Sequence, residues 1–189
     1  MRIIAGKLKA KKINGPKTEK TRPTLDRVKE ALFSILSPYI KDANVLDLFS
    51  GTGNLGIESI SRGAKFAWLN DKEISTIISN IKLTKLENCV KITRKDYTKC
   101  LIQIQNENLC FDIIFLDPPY ESQMAIHTLE YISNSKVGEI LSKDGVIVYE
   151  TDKNFMQKKN IDILDDFENL QCFDKRSYGN VILMLYKWR

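Results

Sequence analysis

One histidine, His127, stands in 189 residues, and the four cysteines (Cys89, Cys100, Cys110 and Cys172) show no CxxC spacing. A structural zinc site needs four closely arranged thiolate or imidazole ligands, so no metal is expected and the thiols read as small core residues. No apolar run approaches the roughly 20 residues that cross a bilayer. The opening Met1-Arg2-Ile3-Ile4-Ala5-Gly6-Lys7 lacks the apolar stretch of a secretion signal. Internal repeats and low-complexity tracts are also missing. Together these absences exclude metalloprotein, membrane-spanning and secreted classes, and they place the expected site of action in the cytoplasm.

What is present is an ordinary globular composition, 43% apolar and 28% charged, in a chain long enough for one α/β domain and too short for two. Its charge is uneven. Residues 1–41 carry eleven lysines and arginines against three acids, net +8, while the remainder is net −3. A basic front end on a mildly acidic body points to an arm that meets a polyanion.

Hydropathy patterning divides the chain further. Ile3-Ile4-Ala5 and Leu8 to Ile13, split by Gly6, predict a small hairpin with lysines on its open face. Asn14-Gly15-Pro16 breaks the chain, and a basic loop runs to Pro23. Thr24 is the expected N-cap of a helix whose Leu25, Val28, Leu32, Ile35 and Leu36 follow a 3.6 period. From Asn44 onward strands and helices alternate. Strands are predicted at 44–49, 65–69, 90–93, 111–116 and 145–150, with helices between them, one of which sets Ile74, Ile77, Ile78 and Ile81 on a single face. Leu170 to Phe173 and Val181 to Trp188 flank Tyr178-Gly179-Asn180 as an antiparallel hairpin would. Repeated βα units imply a mostly parallel, doubly wound sheet covered on both faces, with chemistry at the carboxyl ends of its strands.

Asp47-Leu48-Phe49-Ser50-Gly51-Thr52-Gly53-Asn54-Leu55-Gly56 holds a G-x-G-x-x-G between a strand and a helix, and Asp71 lies 20 residues beyond Gly51. This matches a dinucleotide fingerprint in outline. Asp47 argues against it, because a carboxylate at that strand end would repel a pyrophosphate. S-adenosylmethionine carries an ammonium and a sulfonium and no phosphate, so Asp47, Phe49, Gly51, Gly53 and Asp71 suit it better. Asp96, after the third strand, is placed to accept from an adenine amino group, and it can also cap the helix at Tyr97, one role not excluding the other.

Asp117-Pro118-Pro119-Tyr120 follows the fourth strand. Its two prolines remove backbone donors and leave carbonyls and a carboxylate facing outward. An exocyclic base amino group is a poor nucleophile because its lone pair is delocalised into the ring. Asp117 and the Pro118 carbonyl can each accept one amino hydrogen, which aims the lone pair at a methyl donor, while Tyr120 offers a stacking face. Pro119 fixes the turn. The same tetrapeptide serves guanine N2 and adenine N6, in RNA or DNA; DNA enzymes usually add a recognition region for which this chain has little room.

The opening heptapeptide, Thr21-Arg22-Pro23-Thr24-Leu25-Asp26-Arg27-Val28-Lys29-Glu30-Ala31-Leu32-Phe33, the stretch from Asp47 to Gly63, and Asp117 to Tyr120 together resemble the RsmD family of bacterial 16S ribosomal RNA guanine-N2 methyltransferases. Asn70-Asp71 stands where that family often has a glutamate, and Leu8 where it often has a tryptophan. The resemblance implies a class I (Rossmann-like) fold with a seven-stranded sheet and a C-terminal antiparallel hairpin. It implies S-adenosylmethionine as cofactor, and 16S rRNA or the assembling small subunit as partner. A basic extension at 1–41 is expected to contact RNA through Lys7, Lys9, Lys11, Lys12 and Arg22, and 42–189 to form the methyltransferase domain. The chain is expected to act as a monomer.

Overall fold

The computed structural model describes residues 1–15, 23–119, 122–134, 140–158 and 167–189. Its elements are helix α1 (Pro23–Ile35), strand β1 (Asn44–Asp47), α2 (Asn54–Ser61), β2 (Phe66–Asp71), α3 (Ser75–Thr84), β3 (Val90–Arg94), α4 (Tyr97–Asn106), β4 (Phe111–Leu116), α5 (Met124–Ser133), β5 (Leu141–Asp152), α6 (Lys153–Lys158), β6 (Leu170–Tyr178) and β7 (Val181–Trp188). The seven strands form one sheet in the order β3-β2-β1-β4-β5-β7-β6. Pairings from β3 to β5 are parallel, and β7 runs antiparallel to both β5 and β6. The expected doubly wound sheet with a terminal antiparallel hairpin is therefore present.

Strand alternation explains the layering. Val146 and Val148 of β5 join a core with Ile113, Phe115, Ile57 and Leu32 on one face, while Ile147 and Tyr149 join Ile114, Leu116, Leu129 and Ile104 on the other. Burial of both faces is why β4 and β5 read as continuous apolar runs. Helix α1 buries Val28 and Leu32 along one stripe, which Leu36 continues just past its end. Burial of each such side chain is worth about 1.5–3 kcal/mol.

Three local expectations shift. The helix begins at Pro23, which suits the first helical position because its missing N–H would be unpaired there anyway, so Thr24 lies inside it. The first strand stops at Asp47 and the chain turns from Leu48. Ile78 is 38% exposed although Ile77 and Ile81 are buried, because it stands about 100° round the helix from Ile77, off the buried stripe of Ile77, Asn80, Ile81 and Thr84. Helix α6 has no counterpart among the predicted elements.

The N-terminal segment folds down along α2 and back. Ile3 N–H donates to the Lys11 carbonyl at 2.9 Å, Ile13 N–H to the Met1 carbonyl at 3.1 Å, and Arg2 bridges to Lys12. The expected hairpin is reduced to this single bridge closed by a short 3-10 turn at Gly6–Leu8. Ile3 and Ile13 are buried in the same core as α1 and β1. Among the described residues no helix is long and apolar enough to cross a membrane.

Candidate active site at the carboxyl ends of the strands

The strand order reverses between β1 and β4, which opens a crevice at their carboxyl ends. Register brings three acids there. Asp47 pairs with Phe115 in the sheet, two residues short of Asp117. Leu116 pairs with Tyr149, which sets Asp117 beside Glu150. Burial, then the charges of Glu150 and Asp47, push the Asp117 pKa well above the ordinary aspartate value. Burial, with Asp71 nearby, raises Asp47 to about 7 against the pull of the Gly56 N–H. That N–H donates to Asp47 Oδ2 at 3.4 Å, while Oδ1 is buried without a hydrogen-bond partner among the described residues. Among the described residues no group of His, Cys, Asp and Glu could hold a metal ion.

The glycine turn is built for close approach. Gly53 takes φ +78 at the start of α2, a left-handed conformation that side chains disfavour. A Cβ on Gly56 would collide with Leu69 of β2, so that glycine sets how closely α2 sits on the sheet. Gly51 N–H donates to Asp71 Oδ2 at 2.7 Å, and Glu73 N–H donates to Oδ1 at 3.0 Å. Asp71 thus braces the turn from the end of β2.

Two cavities meet at this edge and share Phe49, Gly51 and Asp117. The larger, about 810 Å³, is lined also by Asn70, Asp71, Lys95, Tyr97, Pro118 and Pro119. Phe49 and Tyr97 pack with ring centroids 5.6 Å apart. The smaller, about 260 Å³, lies against α1 and is lined by Met1, Lys29, Leu32, Asp47, Asn54 and Glu150 among others.

Not every expected site residue lines these cavities. Gly53 is buried in the turn. Asp96 caps α4, accepting from Thr98 N–H at 3.1 Å and Thr98 Oγ1 at 2.7 Å, and pairs with Lys72 at 3.2 Å. The Thr98 hydroxyl bond, with Lys72 beyond it, lowers the Asp96 pKa. The cleft is met instead by its neighbours Lys95 and Tyr97. Tyr120 and Arg22 lie outside the described residues. Lys7 and Lys9 sit at the turn of the N-terminal segment, where Leu8 N–H donates to Ser61 Oγ at the far end of α2. That places them about 12 Å below the glycine turn, the length of an eight-residue helix. Lys11 and Lys12 lie on the returning strand, Lys12 exposed.

A second, buried charge cluster lies behind the small chamber, and sequence reasoning missed it. Glu58 of α2 is fully buried, and accepts from Ile4 N–H at 2.9 Å, Ala5 N–H at 3.0 Å, Lys29 Nζ at 3.0 Å and Arg62 Nε at 2.8 Å. Lys29 also donates to the Arg2 carbonyl and to Asn54 Oδ1, at 2.9 and 2.8 Å. Burial pulls the Lys29 pKa down, partly offset by Glu58. Asn80 adds a further tie, donating to the carbonyls of Asn14 and Thr52. The available signal is a charge inside an apolar helical stripe, Lys29 beside Val28 and Leu32, and Glu58 between Ile57 and Ile60. Glu150 is more legible, since it follows the apolar run Val146 to Tyr149 as Asp117 follows that of β4.

This sheet order, with a glycine turn after β1 and acids at the ends of β1, β2 and β4, defines a Rossmann-like methyltransferase fold of class I. The solved structure of yhhF from Escherichia coli superposes with a TM-score of 0.83 at 28% identity, covering 100% of this chain and 98% of that one. The family described as conserved hypothetical protein 95 matches residues 1–187. The chain is 38% identical to ribosomal RNA small subunit methyltransferase D of Buchnera aphidicola subsp. Acyrthosiphon pisum, over 80% of this chain and 78% of that protein. It is 34% identical to the protein of the same name from Escherichia coli K12, over 71% and 68%. The chain belongs to the RsmD family.

Proposed function

We propose that this protein transfers a methyl group from S-adenosylmethionine to the exocyclic N2 of a guanine in 16S rRNA of the small ribosomal subunit. The observation that carries this reading is Asp117, held at the seam of the two cavities and followed by Pro118 and Pro119. The relatives named as small subunit rRNA methyltransferases support the substrate class.

The residues fit the cofactor. The larger cleft has room for an adenosine, with Asp71 at its ribose hydroxyls and the Phe49–Tyr97 pair as a wall. The smaller chamber offers Glu150 and the Asp47 oxygen that has no partner among the described residues to cationic groups. When bound, S-adenosylmethionine supplies an electrophilic methyl on a positive sulfur. A positive charge in this chamber favours the ionised forms of Asp47 and Asp117, opposing the burial that raises their pKa values. Asp117 accepts hydrogen bonds from guanine N2–H and N1–H, which lie side by side, and the Pro118 carbonyl accepts one from the second N2–H; as N2 takes the methyl group, Asp117 is placed to receive the proton that N2 loses. Adenine offers a bare N1 acceptor there, so the carboxylate would hold only an N6 hydrogen, one contact fewer than guanine provides.

The test is single-turnover methylation of small-subunit particles lacking the modification, with the product nucleoside identified by mass spectrometry. N2-methylguanosine is expected, and N6-methyladenosine would overturn the base assignment. Asp117→Asn should lower the rate about 10²-fold or more with cofactor affinity little changed. Activity within about twofold of wild type would remove Asp117 from its role.

A further inference from the structure

A third cavity lies next to the small chamber. It has a volume of about 560 Å³ and is lined by Arg27, Val28, Glu30 and Ala31 of α1 and by Tyr178 and Gly179 at the β6–β7 turn. Val28 is a wall of both. The sheet register places this turn at the reactive edge: Asp152 of β5 pairs with Val181, and Lys153 N–H donates to the Asn180 carbonyl at 2.7 Å. Glu150, two residues earlier on β5, belongs to the small chamber. The antiparallel hairpin, which contributes nothing to the acid cluster, thus brings its tip to within one side chain of it.

The chemistry of this cavity is that of a nucleotide. Tyr178 is a partly buried ring that packs on one side against the core and lines the cavity, and its hydroxyl engages the Arg176 guanidinium on the same face of β6. Arg176 is held in turn by Asp174 at 2.9 Å. Arg27 is exposed and lines the same cavity from α1. Glu30 adds an exposed acceptor. An aromatic face for a base, a cation for its phosphate and a carboxylate for base N–H groups are the elements by which single-stranded RNA is held. The volume is within the range of small-molecule sites, about 300–1,000 Å³.

We infer that the cavity between α1 and the β6–β7 turn binds an unpaired nucleotide adjoining the target guanine, with Tyr178 stacking on its base and Arg27 on its phosphate. The inference rests on the rRNA reading above. It gives the hairpin a function: the flanking nucleotide is clamped while the target is delivered to Asp117.

The experiment measures affinity for naked 16S rRNA across a salt series, cofactor affinity by calorimetry, and methylation of undermethylated particles, for wild type, Tyr178→Ala, Tyr178→Phe and Arg27→Ala. Tyr178→Ala should weaken RNA binding about tenfold, the loss of one stacked base, while Tyr178→Phe stays within about twofold. Arg27→Ala, at an exposed position that does not threaten folding, should reduce the slope of log affinity against log salt by roughly 0.7–0.9. Cofactor affinity should be unchanged in all. If wild type methylates but Tyr178→Ala and Arg27→Ala bind RNA as wild type does, this inference fails and the proposed function stands. If the variants lose activity on particles while binding naked RNA normally, the cavity meets a ribosomal protein and the inference is overturned. A wild type that binds the cofactor yet does not methylate the particles overturns both readings.

Discussion

Asp47 and Glu58 are both buried carboxylates, 1% and 0% exposed, and they stand on either side of the glycine turn. Glu58 accepts two backbone N–H groups and two cationic side chains; although burial pushes its pKa up, those partners overcome it and hold the pKa below the usual glutamate value. Asp47 accepts one long bond from Gly56, and its other oxygen has no partner among the described residues, so burial and Asp71 raise it to about 7. Burial alone does not decide whether a carboxylate steadies a fold; the number of donors aimed at it does. Glu58 ties the N-terminal segment and α1 to α2. Asp47 is left wanting a cation, which is what a ligand site requires.

Substitution at the two acids should therefore act with opposite signs. Glu58→Ala leaves Lys29 and two backbone N–H groups buried without their acceptor and should cost about 3–5 kcal/mol, lowering Tm by roughly 10 °C for a chain of this size. Thermal unfolding at pH 7 checks it, and a Tm within about 2 °C of wild type would show the cluster to be ornamental. Asp47→Asn should instead raise the Tm of the ligand-free chain at pH 8, by up to a few kcal/mol in stability, and do little at pH 4. Between its ordinary value of 3.8 and about 7 the folded chain keeps the Asp47 proton that the unfolded chain has given up, so stability falls as pH rises through that window. For Glu58 the direction reverses: its contribution is complete above the ordinary 4.5 and is lost as pH falls through the lower folded value. Melting curves of both variants across pH 4 to 8 would separate the two behaviours, and parallel curves would collapse the distinction.

Smaller effects refine the boundary between bracing and binding. Asp71 serves the glycine turn through Gly51, and on the proposed reading also the cofactor ribose. Asp71→Ala should weaken cofactor binding at least roughly tenfold by calorimetry, and unchanged affinity would leave it a brace only. Replacing Lys7, Lys9, Lys11 and Lys12 by alanine should flatten the salt dependence of RNA binding by roughly 0.7–0.9 for each phosphate that is no longer neutralised, with cofactor affinity intact. An unaltered slope would place the RNA entirely along the carboxyl edge of the sheet.

The parallel core is legible in sequence because β4 and β5 are buried on both faces, which writes itself as the apolar runs Ile113 to Leu116 and Val146 to Tyr149. Asp47, Phe49, Gly51, Asp71, Asp117, Pro118 and Pro119 are legible because each stands at or just past the end of such a run, where α/β sheets keep their clefts. Glu58 and Lys29 are not, since their meaning depends on residues up to 54 positions apart, Ile4 and Glu58, and no local period marks that pairing. Asp96 suits both a helix cap and an adenine contact by its spacing, and the structure shows its carboxylate capping α4 through Thr98 and pairing with Lys72, which leaves the second role to be tested.

The position of β7 bears on how the chain is made. It follows β6 in sequence yet lies between β6 and β5. During synthesis β6 emerges first and has no strand to pair with, while the edge of β5 stays open until β7 arrives. An unpaired, largely apolar edge is a template for association between nascent chains. Closure of this half of the sheet is therefore a single late event, joining strands distant in sequence, and is expected to be the slow step of folding. A stall in translation just before Val181 would leave the molecule at its stickiest.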